Sequence, residues 1–477
     1  MQKPFVLPVR TALGKYIYEV NRNEIVKVNE ELFDYIKKVL ESDEPELVEA
    51  AEAIKEQFDE LRDCGYLAPK HVERIEHPAT SQVENYLTRG MGKLTLQVTQ
   101  NCNLRCKYCI YSENSNLRQR SHSSNYMTVE TAKKAIDFYS QHSKDVRLAS
   151  IGFYGGEPLL AYPLIVEAVH YAEKVFKGKE ILFAITTNAT LLTEEIMDFL
   201  LDHHFIIVLS IDGPKRVQNK NRVFGDGSGS YDIVMRNINN AYDRDVKKLS
   251  GTSINMVIDS TQRYDELLTL FDEPALKNVQ CNYYYVVKDG EMQPPSTEYI
   301  TELGYDKFRS FMGYFRSEKM EYRNKLMEQS VKAFDVDQGR FTSSVLQSIA
   351  APSGPCTPGK LRLLVNCYGD FYPCEKVNEN EVMKIRSLDT GFDFAKIRSI
   401  LNVGQLDSEK CKSCWAISLC NICARVADDG ETLSAKRRDR ACQESISSAY
   451  GKILEKILTY ENEKHLREIM HWGGEGR

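Results

Sequence analysis

Long hydrophobic runs are absent from this sequence. No window approaches the roughly 18 to 20 consecutive apolar residues that a membrane helix needs, and the opening MQKPFVLPVR lacks the apolar core of a signal peptide. Long basic blocks are absent as well, and the formal net charge of -6 is small for 477 residues, which argues against nucleic acid as a partner. We therefore expect a cytoplasmic protein that binds neither membranes nor nucleic acid.

Cysteine, in contrast, is abundant and clustered. Of 13 cysteines, three lie between residues 102 and 109 and eight lie between 356 and 442. Cytoplasmic thiols stay reduced, and a chain of this size buries a core without disulfide bonds, so the clusters indicate metal binding. Cys64 and Cys281 stand alone and are expected to be small buried hydrophobes.

The N-terminal part of the sequence has its own pattern, from residue 14 to residue 67. Residues 16–20 and 25–28 alternate apolar and polar side chains around a polar turn, which predicts a β-hairpin. Asn29 is placed to cap a first helix, and Gly65 ends a second one. This winged-helix-like order resembles the recognition element of enzymes that modify ribosomally made peptides (RiPPs). The resemblance implies a leader-binding domain over residues 1–78, with a plain structural extension as the alternative.

From residue 93 onward, strand and helix patterns alternate. The predicted strands are residues 94–99, 150–154, 181–186, 206–211, 253–258 and 279–287. This order predicts an α/β fold with a parallel sheet, open or partly closed into a barrel, over residues 79–290. Ligands of such sheets lie at the carboxyl ends of the strands. Residues 68–92 look like a polar linker, and the mostly helical residues 291–350 look like a bridge to the cysteine-rich end.

The first cysteine cluster directly follows the first strand of this core. A 4Fe-4S cluster normally takes four thiolates, so three thiolates from Cys102, Cys106 and Cys109 would leave one iron free. Structural zinc needs four protein ligands, and no fourth Cys or His lies nearby in the sequence. Zinc remains the alternative at this point.

The spacing of these cysteines, with Tyr108 before the last, is similar to that of the radical SAM superfamily. The resemblance implies a partial (β/α)6 barrel in which a 4Fe-4S cluster on the triad reductively cleaves S-adenosylmethionine (SAM). It also implies SAM contacts near the ends of later strands, from Tyr108, Gly155, Gly156, Glu157, Pro158, Thr187, Asn188, Ser210, Asp212 and Arg222. Taken alone, each of these motifs is also an ordinary turn, helix cap or ion pair.

The cysteines of the C-terminal part form a second array: Cys356, Cys367, Cys374, Cys411, Cys414, Cys420, Cys423 and Cys442. The array resembles the SPASM domain, which carries two auxiliary 4Fe-4S clusters, and this implies a SPASM domain over residues 351–477. The ligand order of that family implies a first cluster on Cys356, Cys374 and Cys423, and a second on Cys411, Cys414, Cys420 and Cys442. Cys367 is either the fourth ligand of the first cluster or a bystander beside an open iron. Two residues separate Cys420 from Cys423, where the family usually has three, and two zinc sites are the alternative.

Together these parts resemble radical SAM maturases of ribosomal peptides. We hypothesise an oxidoreductase that installs thioether cross-links in a cysteine-containing precursor peptide, using SAM, three 4Fe-4S clusters and an external electron donor such as flavodoxin or ferredoxin. Carbon-carbon or carbon-oxygen cross-linking would use the same parts. A second hypothesis is an anaerobic sulfatase-maturing enzyme, which generates formylglycine. In that family an aspartate follows a cluster cysteine as the base, and Glu375 holds this place here. A third hypothesis is a zinc-stabilised module that binds peptides.

Overall fold

The computed structural model describes residues 2–109, 122–245, 249, 251–288, 291–292, 294–315, 324–328 and 345–472. No helix in this described part is long and apolar enough to cross a membrane. Residues 316–323 and 329–344 of the predicted helical bridge lie outside it.

Three antiparallel strands and two helices form the N-terminal part. Strands β1 (Val6–Arg10), β2 (Lys15–Glu19) and β3 (Glu24–Val28) pair in that order and are followed by helices α1 (Glu30–Glu41) and α2 (Glu52–Asp63). The predicted hairpin and both helices are confirmed, and the Asn29 side chain accepts the Leu32 N–H at 2.8 Å as the expected cap. Strand β1 escaped the pattern reading because it is an edge strand interrupted by Pro8.

The two faces of this N-terminal sheet pack against different parts of the chain. Ile17 packs with Ile36 and Phe58 of the two helices. On the other face, Tyr18 meets Trp415 edge-on at 6.4 Å between ring centroids, and Tyr16 donates a hydrogen bond to Glu461 at 2.9 Å. The N-terminal part therefore shares a core with the cysteine-rich end and is not a freely attached module.

The predicted linker and one isolated cysteine differ from expectation. Residues 68–92 contain strand β4 (Arg74–Ile75) and helix α3 (Val83–Arg89), and Val83 and Leu87 are fully buried in the main core. The linker prediction is wrong because a helix of two turns is too short to show a sustained period. Cys281 is buried as predicted, whereas Cys64 is exposed at the end of α2.

The central sheet confirms all six predicted core strands. They are β5 (Leu94–Thr99), β6 (Leu148–Gly155), β7 (Glu180–Thr187), β8 (Phe205–Ser210), β9 (Ser253–Ile258) and β10 (Gln280–Tyr285). The intervening helices are α4 (Val129–His142), α5 (Tyr162–Val175), α6 (Glu194–Asp202), α7 (Lys215–Asn221), α8 (Tyr231–Arg244) and α9 (Tyr264–Leu268). All neighbouring strands from β5 to β10 run parallel. The α/β prediction for the core is therefore correct.

Alternate side chains divide the two faces of this sheet. Leu94, Leu96 and Val98 of β5 belong to the main apolar core, so the residues between them, Thr95 and Gln97, face the other way. Both are buried as well. The face of β5 opposite the apolar core is therefore polar.

The C-terminal part extends this sheet. Its described elements begin with β11 (Val287–Lys288), β12 (Glu291–Met292) and α10 (Thr297–Phe315). They continue with β13 (Ile349–Ala350), β14 (Leu363–Val365), β15 (Phe371–Tyr372), β16 (Arg386–Ser387), β17 (Gly391–Phe392), α11 (Phe394–Leu401), α12 (Ser408–Lys412) and α13 (Ala435–Trp472). Strand β14 pairs in parallel with β5 and in antiparallel with β15. Two strands of the cysteine-rich end thus bring the sheet to eight strands.

Candidate functional site

The first cysteine cluster lies in the loop that leaves the carboxyl end of β5. The sulfur of Cys102 accepts a hydrogen bond from the Leu104 N–H at 3.4 Å and lies 3.8 Å from the side-chain nitrogen of Asn188. Burial raises the pKa of the Cys102 and Cys106 thiols to about 12. Cys109 adds to both shifts, and Cys106 adds to that of Cys102. A cation bound among them would reverse this effect, because a metal binds the deprotonated thiolate.

At Gly155 and Gly156 the backbone at the end of β6 lies close to the backbone of this loop. The Gly156 N–H donates to the Thr99 carbonyl at 3.0 Å, and the Glu157 N–H donates to the Asn101 carbonyl at 2.9 Å. A Cβ at Gly155 or Gly156 would lie 2.2 Å from the carbonyl oxygen of Thr99 or Asn101. A larger residue at either position would therefore clash with the backbone that leads into the cluster loop. This clash alone explains the glycines, without any bound ligand.

Glu157 joins the ends of two strands through its buried carboxylate. The carboxylate accepts the Leu159 N–H at 3.0 Å, the Thr187 hydroxyl at 2.7 Å and the Asn188 N–H at 2.7 Å. Burial raises the pKa of Glu157 to about 7, while these three donors act in the opposite direction. Pro158 is the first residue of a short 3-10 turn, as its expected N1 position requires.

Replacing Glu157 by glutamine tests this junction. The amide nitrogen cannot accept the hydrogen bonds that the carboxylate oxygen accepts, so one buried backbone N–H loses its partner. We expect the free energy of unfolding to fall by about 1–3 kcal/mol. Chemical denaturation measures the change, and Glu180→Gln on the exposed start of β7 serves as the control. Equal stability of the two variants would contradict the role given to Glu157.

Three further candidate SAM residues form one buried network beside the cluster loop. Asp212 accepts hydrogen bonds from the Val257 N–H at 3.0 Å and from the Tyr108 hydroxyl, and its carboxylate pairs with the Arg222 guanidinium at 3.0 Å. Arg222 also lies 4.0 Å from the Cys106 sulfur. The Asp212 carboxylate is thus occupied by protein donors, and the network fastens the cysteine loop to the ends of β8 and β9. Ser210, the last residue of β8, ends the same edge.

The cysteines of the C-terminal part separate into two groups. In the four-thiol group, Cys411, Cys414, Cys420 and Cys442 interact electrostatically with one another. In the three-thiol group, Cys374 interacts with Cys356 and Cys423. The structure therefore brings together the two sets that the sequence resemblance implies. Cys420 belongs to the four-thiol group, whereas Cys423 belongs to the three-thiol group.

The three-thiol group lies at the opposite end of β5 from the first cluster. Leu363 pairs with Leu94 and Leu364 pairs with Tyr372, so Cys374 falls level with the start of β5. Five steps of roughly 3.3 Å join the first and last of the six residues of β5, so the strand spans about 16 Å. The length of β5 therefore separates the first cysteine cluster from the three-thiol group.

Cys367 is not brought into either group. Its sulfur donates to the Gln97 carbonyl at 3.2 Å, and its N–H donates to the Gln97 side chain at 3.3 Å. Burial raises the pKa of the Cys367 thiol to about 12, and the charge of Glu379 adds to this rise. No other cysteine is among the causes of the shift. This placement leaves the three-thiol group without Cys367 as a neighbour.

Glu375 follows Cys374 and lies with it at the amino end of β5. Its carboxylate pairs with Arg362. Burial lowers the pKa of the Lys93 amine, and the charge of Glu375 partly opposes this lowering. The candidate base is therefore engaged by a cation and lies far from the cysteine triad.

Sequence reasoning missed three residues that contact cysteines of the C-terminal part. Arg438 and Ser445 hydrogen-bond to sulfurs of the four-thiol group, and both lie on one helix face with Cys442, a spacing that the sequence already contained. Gln97 is fully buried and contacts Cys367 and Glu379. A polar residue within the apolar run of β5 was the available signal.

The donor atoms of these thiol groups are of the type that iron-sulfur clusters take. Within the described ranges, no three His, Cys, Asp or Glu side chains converge closely enough to hold one metal ion. Each of the three groups nevertheless brings three or four thiols near one another, and thiolates are the ligands that 4Fe-4S clusters take.

Known proteins share both the sequence and the fold of this core. The Radical SAM superfamily matches residues 96–273. A protein of Methanocaldococcus jannaschii is 39% identical over 124 residues, which cover 26% of this chain but only 40% of that protein. A cysteine-type anaerobic sulfatase-maturating enzyme of Clostridium novyi is 24% identical over 393 residues, covering 78% of this chain and 97% of the enzyme.

Solved structures of native anSMEcpe have the same fold. Its form with bound AdoMet matches with a TM-score of 0.56 and 21% identity over 76% of this chain and 98% of that one. Its form with AdoMet and the Cp18Cys peptide gives 0.55 and 21% over 78% and 99%. Residues 96–273 are therefore a radical SAM domain, and relatives that share it include an enzyme that matures sulfatases.

Proposed function

We propose that this enzyme forms thioether cross-links in a cysteine-containing precursor peptide. The observation that carries the proposal is the pair of thiol groups at the two ends of β5. Cys102, Cys106 and Cys109 would hold the cluster at the carboxyl end, whereas Cys356, Cys374 and Cys423 would hold a second cluster at the amino end. Cys411, Cys414, Cys420 and Cys442 would hold a third. A cluster with SAM at the first site would supply a 5′-deoxyadenosyl radical.

The residues around the first site would bind and orient SAM. Backbone at Gly155 and Gly156, the polar ends of β7 and β8, and Arg222 surround the loop of the triad. Glu157 and Asp212 would act through their hydrogen bonds, by holding the loop and its neighbours in place. Burial of these groups would keep water away from the radical.

The three-thiol group would leave one iron open for a thiolate of the substrate. Support comes from Cys367, whose thiol faces the Gln97 carbonyl and not the other cysteines. Forming one thioether removes two hydrogens from the peptide. One would leave as a hydrogen atom with 5′-deoxyadenosine, and the other would leave as the thiol proton. The remaining electron would pass through the auxiliary clusters to the oxidised flavodoxin or ferredoxin, which had supplied one electron for the cleavage of SAM.

The product mass tests this function. We expect the anaerobically reconstituted enzyme, reduced by a flavodoxin or ferredoxin system, to convert SAM and the precursor into 5′-deoxyadenosine and a peptide lighter by two hydrogens per link. Fragmentation should place each link at a cysteine. A precursor in which serine replaces every core cysteine is the control. Formation of 5′-deoxyadenosine without any change in peptide mass would overturn the proposal.

Strand β3 offers an edge on which a leader peptide could add a strand. It is the outermost strand of the N-terminal sheet, and Val26 and Val28 are only partly buried against the N-terminal core. An added strand gains main-chain hydrogen bonds from such an edge and side-chain contacts from its apolar face. Binding there would keep the core peptide close to the radical site.

Val26→Gln tests this edge. The substitution places an amide on the face that would receive the leader, and we expect the dissociation constant for a fluorescent precursor to rise at least tenfold, or about 1.4 kcal/mol. Fluorescence anisotropy measures it. Lys27→Gln introduces the same side chain at the exposed neighbouring position and should leave binding unchanged. Equal affinities for both variants would exclude β3 as the docking edge.

A second candidate function is formylglycine formation, as in the sulfatase-maturating relative of Clostridium novyi. The observation in its favour is the 97% coverage of that enzyme. Its base would be Glu375, next to Cys374. An aldehyde-reactive hydrazide would label the product of this reaction but would not label a thioether.

Glu375→Gln separates the two candidates. Under the thioether proposal Glu375 only pairs with Arg362, so the rate of peptide modification should fall less than about tenfold. If Glu375 is the base, the rate should fall by about 10²–10⁴-fold, the usual contribution of general base catalysis. Product formation by mass spectrometry measures the rate, and Arg362→Gln controls for loss of the ion pair alone.

A further inference from the structure

One face of helix α13 carries Cys442 of the four-thiol group and two polar residues that contact other thiols of this group. Arg438, Cys442 and Ser445 follow the i, i+4, i+7 spacing of a helix face. Ala449 and Ile453 continue this face into the core shared with the N-terminal sheet. The helix therefore presents a cation, a thiol and a hydroxyl side by side, and packing of its next turns fixes their position.

Arg438 is a buried cation in contact with this group. Its side chain is 3% exposed, and its guanidinium donates a hydrogen bond to the Cys411 sulfur. Burial raises the pKa of Cys411 to about 11, and the charge of Arg438 acts against that rise at Cys411, Cys414 and Cys442. Asp439 accompanies Arg438 at 3.4 Å but is itself held by Lys410 at 2.9 Å.

Ser445 adds a neutral donor on the same face. Its hydroxyl lies 3.5 Å from the Cys420 sulfur and accepts the Asn421 N–H at 3.2 Å. The same hydroxyl donates its hydrogen to the Cys420 sulfur. Two of the four sulfurs thus have donors from one helix.

The three-thiol group has a different electrostatic environment. Its nearby charges are Glu375 and Arg362, which pair with each other. Glu375 also opposes a negative charge on Cys374. The two groups therefore differ by one buried cation that faces sulfur.

We propose that Arg438, assisted by Ser445, raises the reduction potential of the cluster on the four-thiol group above that of the cluster on the three-thiol group. Reduction adds one negative charge to a cluster, and net charge and hydrogen bonds to sulfur set its potential. Arg438 would thus favour transfer of the electron that leaves the peptide to the cluster on the four-thiol group. This inference rests on the proposed set of auxiliary clusters.

Potentiometric titration followed by electron paramagnetic resonance tests the inference. The full chain with Cys102, Cys106 and Cys109 changed to alanine serves as background, which leaves two clusters and about eight irons. In this background we expect Arg438→Gln to lower the reduction equilibrium constant of one cluster about tenfold, a shift of about 59 mV for one electron, and to leave the other unchanged. Arg438→Lys should keep most of the potential, and Arg440→Gln, an equal charge change on the exposed face of α13, should shift neither cluster.

Three other results would overturn the inference. An Arg438→Gln variant with about eight irons and unchanged potentials shows that the cation does not set them. Loss of about four irons shows that Arg438 holds the ligands in place and does not tune them. Iron content of the background is measured before titration, and fewer than two clusters there overturn the proposed cofactor set and this inference with it.

Discussion

Changing Cys102, Cys106 and Cys109 to alanine should remove about four of about twelve irons per chain and abolish reductive cleavage of SAM. The three thiols are neighbours in a loop that is fastened from two sides, by the backbone at Gly156 and by the Asp212 network. Without thiolates this loop has no ligand for iron. Iron and sulfide analysis and a chromatographic assay of 5′-deoxyadenosine measure the two losses.

Cys281→Ala is the matched control for that variant. Burial raises the pKa of the Cys281 thiol to about 12, as it does for Cys102 and Cys106, but no other cysteine contributes. The control should keep its full iron content and its SAM cleavage. Retained SAM cleavage in the triple variant, or an equal loss of iron in the control, would contradict the assignment of the radical cluster.

A double substitution at Cys420 and Cys423 should lose about eight irons, twice the loss of either single variant. Only two residues separate these cysteines, but Cys420 belongs to the four-thiol group and Cys423 to the three-thiol group. Each single substitution to alanine should therefore remove a different cluster of about four irons. All three variants should still cleave SAM, because the triad is untouched, and all should fail to modify the precursor.

The pattern of losses discriminates between one shared site and two. If both cysteines bound the same cluster, the double variant would lose no more iron than a single variant, because effects at one site do not add. Iron content per chain and the reduced-state resonance spectra measure the loss. Asn421→Ala lies between the two cysteines and serves as the control for local disruption, since Asn421 is exposed.

The features predicted correctly from the sequence depend on short stretches of chain. The six core strands follow from apolar segments a few residues long, and the cap at Asn29 follows from one side chain and the next turn of helix. The cysteine triad and the glycine motif are equally local. Their common position at one sheet edge then follows from parallel strand order alone.

The features that escaped prediction depend on partners distant in sequence. The β14–β5 pairing and the packing of Tyr16 against Glu461 each join segments that no local pattern relates. Helix α3 was missed because two turns give too few repeats. The role of the glycines also changed, since their neighbours are carbonyls of the β5 loop.

The sequence by itself determined the radical SAM core, since the residues that build each strand end and the cysteine loop are contiguous and their chemistry is fixed by residue type. Only the tertiary structure decided which thiols share a group, where Cys367 and Glu375 lie, and that Arg438 faces sulfur. These facts depend on how β14, β15 and α13 dock onto the rest of the chain, and docking is governed by the summed burial of apolar surface over many distant contacts, which no spacing of residues encodes.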